Sequence, residues 1–221
     1  ISNWVMQDAC KQLAQWRLKG HQDLQVAINV AKPQFEEGGL CHRLTQLLQD
    51  AQVPPEWLVV ELTESMLLDD VESIITTMNA LKDIGIRFSL DDFGTGYSSL
   101  SYLQQFELDY LKIDKSFVAD MNEDNDNEII TAAIIAMGRT LKLEIVAEGV
   151  ETREQMKLLQ RHGCHRAGRD DHVEGPAPVV GLGQRAAEGR ADHRAQHRVN
   201  RVVSTASFFA SGSTAHSTQA R

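Results

Sequence analysis

The chain has 221 residues, a length that suits one barrel-sized domain or one smaller domain with an extension. Its formal net charge of −9 argues against a nucleic acid polymer held through its phosphate backbone. The three cysteines are widely spaced and form no CxxC pair, which favours reduced thiols and a cytoplasmic location over a disulfide framework.

The spacing of apolar residues along positions 1–164 predicts helices and strands in alternation. The chain opens with a predicted amphipathic helix at 4–18, followed by a β-rich run at 24–30. The further predicted elements are a helix at 40–51, a strand at 57–62, a helix at 71–85, strands at 86–92 and 108–114, a helix at 127–141, a strand at 143–149 and a helix at 152–162. This alternation indicates an α/β fold with a parallel sheet, open or closed into a barrel.

Polar side chains stand at or just past the carboxyl ends of the predicted strands. They are Asn29, Glu61, Asp91, Asp92, Lys112, Asp114 and Glu148. In α/β folds all parallel strands direct their last residues toward the same mouth, where sites are built. An exposed loop acid would explain any one of these residues, but not their repetition on five successive strands. We therefore expect these side chains to lie close together.

Five of these residues are candidate metal ligands, and all five bind through oxygen. They are Asn29, Glu61, Asp91, Asp92 and Glu148. Oxygen ligands without histidine or cysteine suit Mg²⁺ or Mn²⁺ rather than Zn²⁺. Two divalent ions balance four carboxylates better than one, and a pair of ions about 3.5–4 Å apart is the usual device for phosphodiester hydrolysis. Lys112 would add positive charge for a phosphate oxygen or for the attacking water.

Five motifs occur in the order and spacing of one protein family. They are NVAKPQF (29–35), ELTES (61–65), DDFGTGYSSLSYL (91–103), LKIDKSFV (111–118) and VAEGVET (146–152). Over nearly all of residues 1–164 the chain resembles the EAL domains, the cyclic di-GMP phosphodiesterases of bacterial signalling. The resemblance implies a modified TIM (β/α)8 barrel that opens cyclic di-GMP to linear pGpG with two Mg²⁺ or Mn²⁺ ions.

The resemblance also implies roles for individual residues. The metal ligands would be Asn29, Glu61, Asp91, Asp92 and Glu148. Lys112 would orient the catalytic water, and Asp114 would lie close by. Glu64 would brace the loop that starts at Asp92, a loop that the family links to dimerisation, so a homodimer is expected. Structural hydrogen bonding is an equal alternative for Glu64 and Asp114.

The chain departs from the family pattern at both ends. The strand with the Glu-Ala-Leu motif and one metal-binding glutamate would precede the first helix, and the chain opens on Ile1 rather than Met. We therefore expect a fragment, with a sensor domain, a diguanylate cyclase domain or a membrane anchor upstream in the full-length protein. After Cys164 the family continues with Ala-Gln-Gly-Tyr, whereas this chain reads Ala167, Gly168, Arg169. We divide the chain into a partial EAL domain at 1–164, forming an incomplete barrel, and a non-homologous tail at 165–221.

The tail has a composition of its own. Residues 165–221 contain eight arginines and no lysine, and Gly, Ser and Ala are abundant. Such a segment buries too little apolar surface to offset its ordering entropy, so we expect it to be irregular or disordered. It is either a disordered basic extension or the product of a shifted reading frame in a GC-rich gene. The abrupt change in composition favours the frameshift.

These departures lead to an expectation about activity. Loss of one metal ligand weakens a site, and open sheet edges favour aggregation, so we expect this polypeptide to be impaired and marginally stable. The alternative function is a catalytically inactive regulatory domain that binds cyclic di-GMP or a partner protein. The retained metal-ligand side chains argue against that alternative.

Overall fold

Parallel strands and helices alternate along the chain, as the apolar periodicity predicts. The computed structural model describes residues 2–21, 24–36, 38–68, 70–94, 103–122, 126–164, 166–167 and 206–210. The first half contains α1 (Ser2–Leu18), β1 (Leu24–Asn29), α2 (Lys32–Glu36), α3 (Leu40–Ala51), β2 (Leu58–Thr63) and α4 (Val71–Asp83), with 3₁₀ helices at Pro55–Trp57 and Glu64–Leu68. The second half contains β3 (Arg87–Phe93), β4 (Tyr110–Ile113), α5 (Lys115–Ala119), α6 (Asp126–Thr140), β5 (Glu144–Ala147), α7 (Arg153–His162), β6 (Arg166–Ala167) and β7 (Ala206–Ala210).

Every predicted strand and helix is present, with ends close to the predicted ones. The sequence did not predict α2, α5, β6 or β7. These elements are too short to show a hydrophobic period, which needs a longer window.

The strands form a single sheet in the order β6-β5-β4-β3-β2-β1-β7. Neighbours from β1 to β6 run parallel, whereas β7 runs antiparallel to β1, with Leu24 opposite Ala210 and Ile28 opposite Ala206. Within the described residues β6 and β7 are the two edges of this sheet, so the barrel is incomplete there. The predicted α/β class is confirmed, because parallel strands joined by helices define it.

The two faces of the sheet have different surroundings. Because side chains alternate along a strand, Leu90 and Leu111 lie on the face that packs into the main core with helix residues such as Leu13 and Met78. The opposite face carries a separate buried apolar cluster made of Ala27, Val59, Tyr110 and Val146. This second face is the one from which the polar strand ends emerge.

The short strands β6 and β7 lie in the segment that the sequence predicts to be an irregular tail. The boundary at 164/165 and the frameshift stay predictions, since most of 168–221 lies outside the described residues. The helices that the structure describes include none with both the length and the apolar character needed to cross a bilayer.

The three cysteines differ in accessibility, and this difference predicts their reactivity. Cys10 and Cys164 are at most 2 % exposed, and burial raises the pKa of each thiol to about 11. Cys41 is half-buried. Because the thiolate is the reactive form, we expect a thiol reagent at pH 8 to modify Cys41 at least about tenfold faster than the other two. Timed labelling with peptide mapping checks this, with labelling in guanidinium as the control; equal rates in the native chain would contradict it.

Candidate active site

The polar residues predicted at the strand ends lie on one face of the sheet. Glu61 follows Val59 on that face of β2, and Lys112 follows Tyr110 on β4, because alternate residues of a strand share a face. Asn29 is in register with Glu61, and Asp91 is in register with Thr63, one pleat further along. The pleat therefore directs acids from adjacent strands toward one mouth.

Lys112 is the common contact of three carboxylates from three different segments. Its Nζ lies 2.9 Å from Glu61 Oε1, 2.8 Å from Asp91 Oδ1 and 2.7 Å from Glu148 Oε1. Lys112 is only 3 % exposed and Glu61 only 1 %. Because all three oxygens contact the same nitrogen, the distance between any two of them is at most the sum of their two distances to Lys112 Nζ. The structure brings these four predicted residues together.

The electrostatics of this cluster show a shortage of positive charge. Burial raises the pKa of Glu61 to about 7, even though Lys112 opposes the shift. Burial also raises the pKa of Glu148 above its ordinary value, and again Lys112 opposes it. For Lys112 burial alone lowers the pKa, but Glu61, Glu148 and Asp91 together raise it above the ordinary lysine value. One ammonium does not neutralise the cluster, so a further cation would stabilise the ionised carboxylates.

Asp92 owes its position to a local irregularity in β3. Its φ is +54°, and the β3–β4 register shifts between Leu90 and Phe93. A regular pleat would place Asp91 and Asp92 on opposite faces. Burial raises the pKa of Asp92, and the nearby charge of Asp91 and then Asp114 raises it further. The two consecutive acids thus belong to one electrostatic environment.

The other predicted residues lie around this cluster. Asn29 is exposed at the end of β1. Glu64 is buried, and its Oε2 accepts a hydrogen bond from the Gly94 amide at 3.2 Å, at the start of the loop after Asp92. Asp114 caps α5, since its Oδ1 accepts from the Ser116 amide at 2.9 Å. Glu64 thus contacts the backbone just after Asp92, and its role in bracing the loop stays a prediction.

Sequence reasoning missed a second polar layer beneath the acids. The Tyr110 hydroxyl donates to Gln25 Oε1 at 2.9 Å and accepts from Arg87 Nη1 at 2.8 Å. The Arg166 guanidinium lies 5.5 Å from the centre of the Tyr110 ring. Polar residues at alternate positions of the predicted strands are the sequence signal that would have indicated this layer. The layer ties β1, β3, β4 and β6 together below the site.

The segment after Glu148 is fixed by a capping box at the start of α7. Thr152 Oγ1 accepts from the Gln155 amide at 3.1 Å, and Gln155 Oε1 accepts from the Thr152 amide at 2.9 Å. The Gln155 Nε2 also donates to the Val118 and Ala119 carbonyls, each at 3.0 Å. These bonds anchor the chain that leaves Glu148 against α5.

The donor set fits a hard divalent cation. Glu61, Asp91 and Glu148 offer only carboxylate oxygens, and Asn29 and Asp92 would add more oxygens. Glu61 Oε2 is buried and accepts no hydrogen bond from any residue that the structure describes. In the same described ranges no three His, Cys, Asp or Glu side chains stand ready-made around a shared metal position. Lys112 Nζ is instead the point at which the carboxylates meet.

Comparison with known proteins shows similarity to one protein family. The family model for the EAL domain matches residues 1–167. The signaling protein YkoW of Bacillus subtilis is 46% identical over 175 residues, which are 79% of this chain and 21% of YkoW. The bifunctional diguanylate cyclase/cyclic di-GMP phosphodiesterase MucR of Pseudomonas aeruginosa is 41% identical over 165 residues, which are 75% of this chain and 24% of MucR.

Solved structures show the same similarity in three dimensions. The MucR phosphodiesterase in complex with cyclic di-GMP aligns with a TM-score of 0.70 and 41% identity, over 73% of this chain and 66% of that one. Klebsiella pneumoniae BlrP1 with manganese and cyclic di-GMP aligns with a TM-score of 0.66 and 29% identity, over 73% of this chain and 41% of that one. The chain spans less than a quarter of the length of the curated relatives YkoW and MucR.

Proposed function

The chain belongs to the EAL domain family, and on that premise we propose that its site hydrolyses cyclic di-GMP to linear pGpG with the help of two divalent metal ions. The observation that carries the proposal is the convergence of Glu61, Asp91 and Glu148 on Lys112 at the carboxyl ends of parallel strands. The similarity to a MucR phosphodiesterase structure that holds cyclic di-GMP supports the choice of substrate.

In this proposal the residues of the cluster divide into ligands and positioning groups. The metal ligands are Asn29, Glu61, Asp91, Asp92 and Glu148. The ions supply charge stabilisation and an acidified water when bound. Lys112 holds the attacking water, and one phosphodiester bond is cleaved as the water oxygen joins phosphorus and the ribose oxygen leaves with a proton. Glu64 steadies the start of the loop after Asp92 through the Gly94 amide, and the negative charge of Asp114 acts on Asp92.

The identity of the ions and the partners belongs to the same proposal. The BlrP1 complex with manganese supports a divalent cation, and we propose Mg²⁺ or Mn²⁺. We also propose a cytoplasmic location and a homodimer formed through the loop after Asp92; residues 95–102 of that loop lie outside the described residues. The bifunctional name of MucR supports an upstream diguanylate cyclase or sensor domain in the full-length protein.

The test is to incubate the full 221-residue chain with cyclic di-GMP and Mn²⁺ and to follow pGpG by chromatography. We expect pGpG to form with Mn²⁺ and not with EDTA. Binding of cyclic di-GMP without turnover would favour the regulatory alternative, and neither binding nor turnover would contradict both functions. We predict that this chain hydrolyses cyclic di-GMP more slowly than a complete EAL phosphodiesterase. A side-by-side rate measurement checks this prediction.

A further inference from the structure

The starting observation is that the Lys112 ammonium forms ion pairs with three carboxylates at once. An ammonium group has three N–H donors and no acceptor. Lys112 Nζ makes three carboxylate contacts of 2.7–2.9 Å, to Glu148, Asp91 and Glu61. Each is an ion-pair distance, although Glu61 Oε1 accepts no hydrogen bond from any residue that the structure describes. In this arrangement the Lys112 ammonium is surrounded by carboxylates rather than directed at a water or a phosphate oxygen.

The same lysine is the cation that allows these acids to be buried together. Glu61 has no exposed side-chain surface, and the Asp91 side chain is 13 % exposed. Breaking a buried ion pair by removing one partner is strongly destabilising, because the remaining charge loses its compensation. Lys112 therefore holds the carboxylates in place by its charge.

We propose that Lys112 is the resident counter-cation of the site, and that a divalent metal must take at least one carboxylate away from it to bind. Two consequences follow. Lys112 stabilises the fold when metal is scarce and lowers the affinity for metal, since its charge repels a second cation. Metal binding also draws a carboxylate away from Lys112, so that its ammonium can turn toward the attacking water. This inference rests on the metal-binding part of the proposed function.

The experiment compares the full chain with its Lys112→Met variant, which keeps a long side chain but removes the charge. In EDTA we expect the melting temperature of the variant to be lower by about 10 °C. We expect Mn²⁺, added alone, to bind the variant at least about tenfold more tightly in a calorimetric titration, because the competing charge is gone. Lys157→Met, at an exposed position on α7, is the control and should change neither quantity.

The outcomes separate this inference from a purely structural or water-orienting role. A lysine that only packs would lower the melting temperature equally in EDTA and in Mn²⁺ and would not tighten Mn²⁺ binding. A melting temperature in EDTA within about 2 °C of the parent chain, or unchanged or weaker Mn²⁺ affinity, would overturn the inference. If the parent chain binds no Mn²⁺, the proposed function fails, while the melting comparison in EDTA still tests the counter-cation role.

A second variant covers the case in which Lys112→Met does not fold in EDTA. Recovery of folding on addition of Mn²⁺ would support the inference, because the metal then replaces the missing charge. If no folding is recovered, the double variant Glu61→Gln with Lys112→Met decides between a charge role and a steric role of Lys112. Its cluster carries the same net charge as the parent cluster. Folding of the double variant supports the counter-cation role, and failure of the double variant shows that the role of Lys112 is steric.

Discussion

Replacing Asp91 by Asn will weaken Mn²⁺ binding by roughly a hundredfold and will slow any metal-dependent hydrolysis of cyclic di-GMP by on the order of a thousandfold. The substitution keeps the size of the side chain and removes one negative charge from the cluster of carboxylates. Asp91 is one of three carboxylates that contact Lys112 Nζ, and its neighbour Asp92 shares the same electrostatic environment. Calorimetric titration with Mn²⁺ measures the affinity, and pGpG release measures the rate.

The fold should survive this substitution, because Lys112 keeps its contacts with Glu61 and Glu148. We expect the melting temperature in EDTA to change by no more than about 3 °C. Asp50→Asn, which removes one charge from an exposed position on α3, is the matched control and should leave Mn²⁺ affinity unchanged. An Asp91→Asn chain with the parent affinity would show that Asp91 is not a ligand.

Replacing Gly149 by Ala will lower both the stability of the fold and the affinity of the site for metal. Gly149 has φ +66°, and a Cβ placed there would lie 2.6 Å from Lys115 Cβ. The clash involves the base of a side chain, so the backbone at Gly149 or Lys115 must move, and Glu148 moves with it. The left-handed conformation and the overlap together cost roughly 2–4 kcal/mol of unfolding free energy, a fall of about 5–10 °C in melting temperature. Mn²⁺ affinity should fall by about tenfold, near 1.4 kcal/mol.

Gly20 provides a control for the conformational part of this effect. Gly20 also has a left-handed backbone, with φ +86°, but a Cβ there would meet no atom within 4 Å. Gly20→Ala should therefore cost only about 1 kcal/mol and leave Mn²⁺ binding intact. Thermal melts and Mn²⁺ titrations of both variants are the measurements. Equal losses of stability in the two variants would show that the predicted contact with Lys115 is relieved at no cost.

The sequence predicted residues at the mouth of the sheet. For some of them it did not show why they take that position. The motif around Glu148 extends to Thr152, and the structure explains this length by the capping box and by Gly149. The network of Tyr110 with Gln25 and Arg87 was not predicted, because its members are far apart in the chain and meet only across the sheet. Short elements such as α5 were missed because they are too short to show a hydrophobic period.

The sequence by itself determined the α/β class, the succession of the longer strands and helices along the chain, and the set of acids at the strand ends. It could do so because hydrophobic period and strand-end position are local properties of the chain. Only the tertiary structure decided that Glu61, Asp91 and Glu148 share Lys112, and that Asp92 lies at a shift in the β3–β4 register with a left-handed backbone. Those features depend on the register between strands distant in sequence and on the burial that their packing produces, which no local pattern of residues encodes.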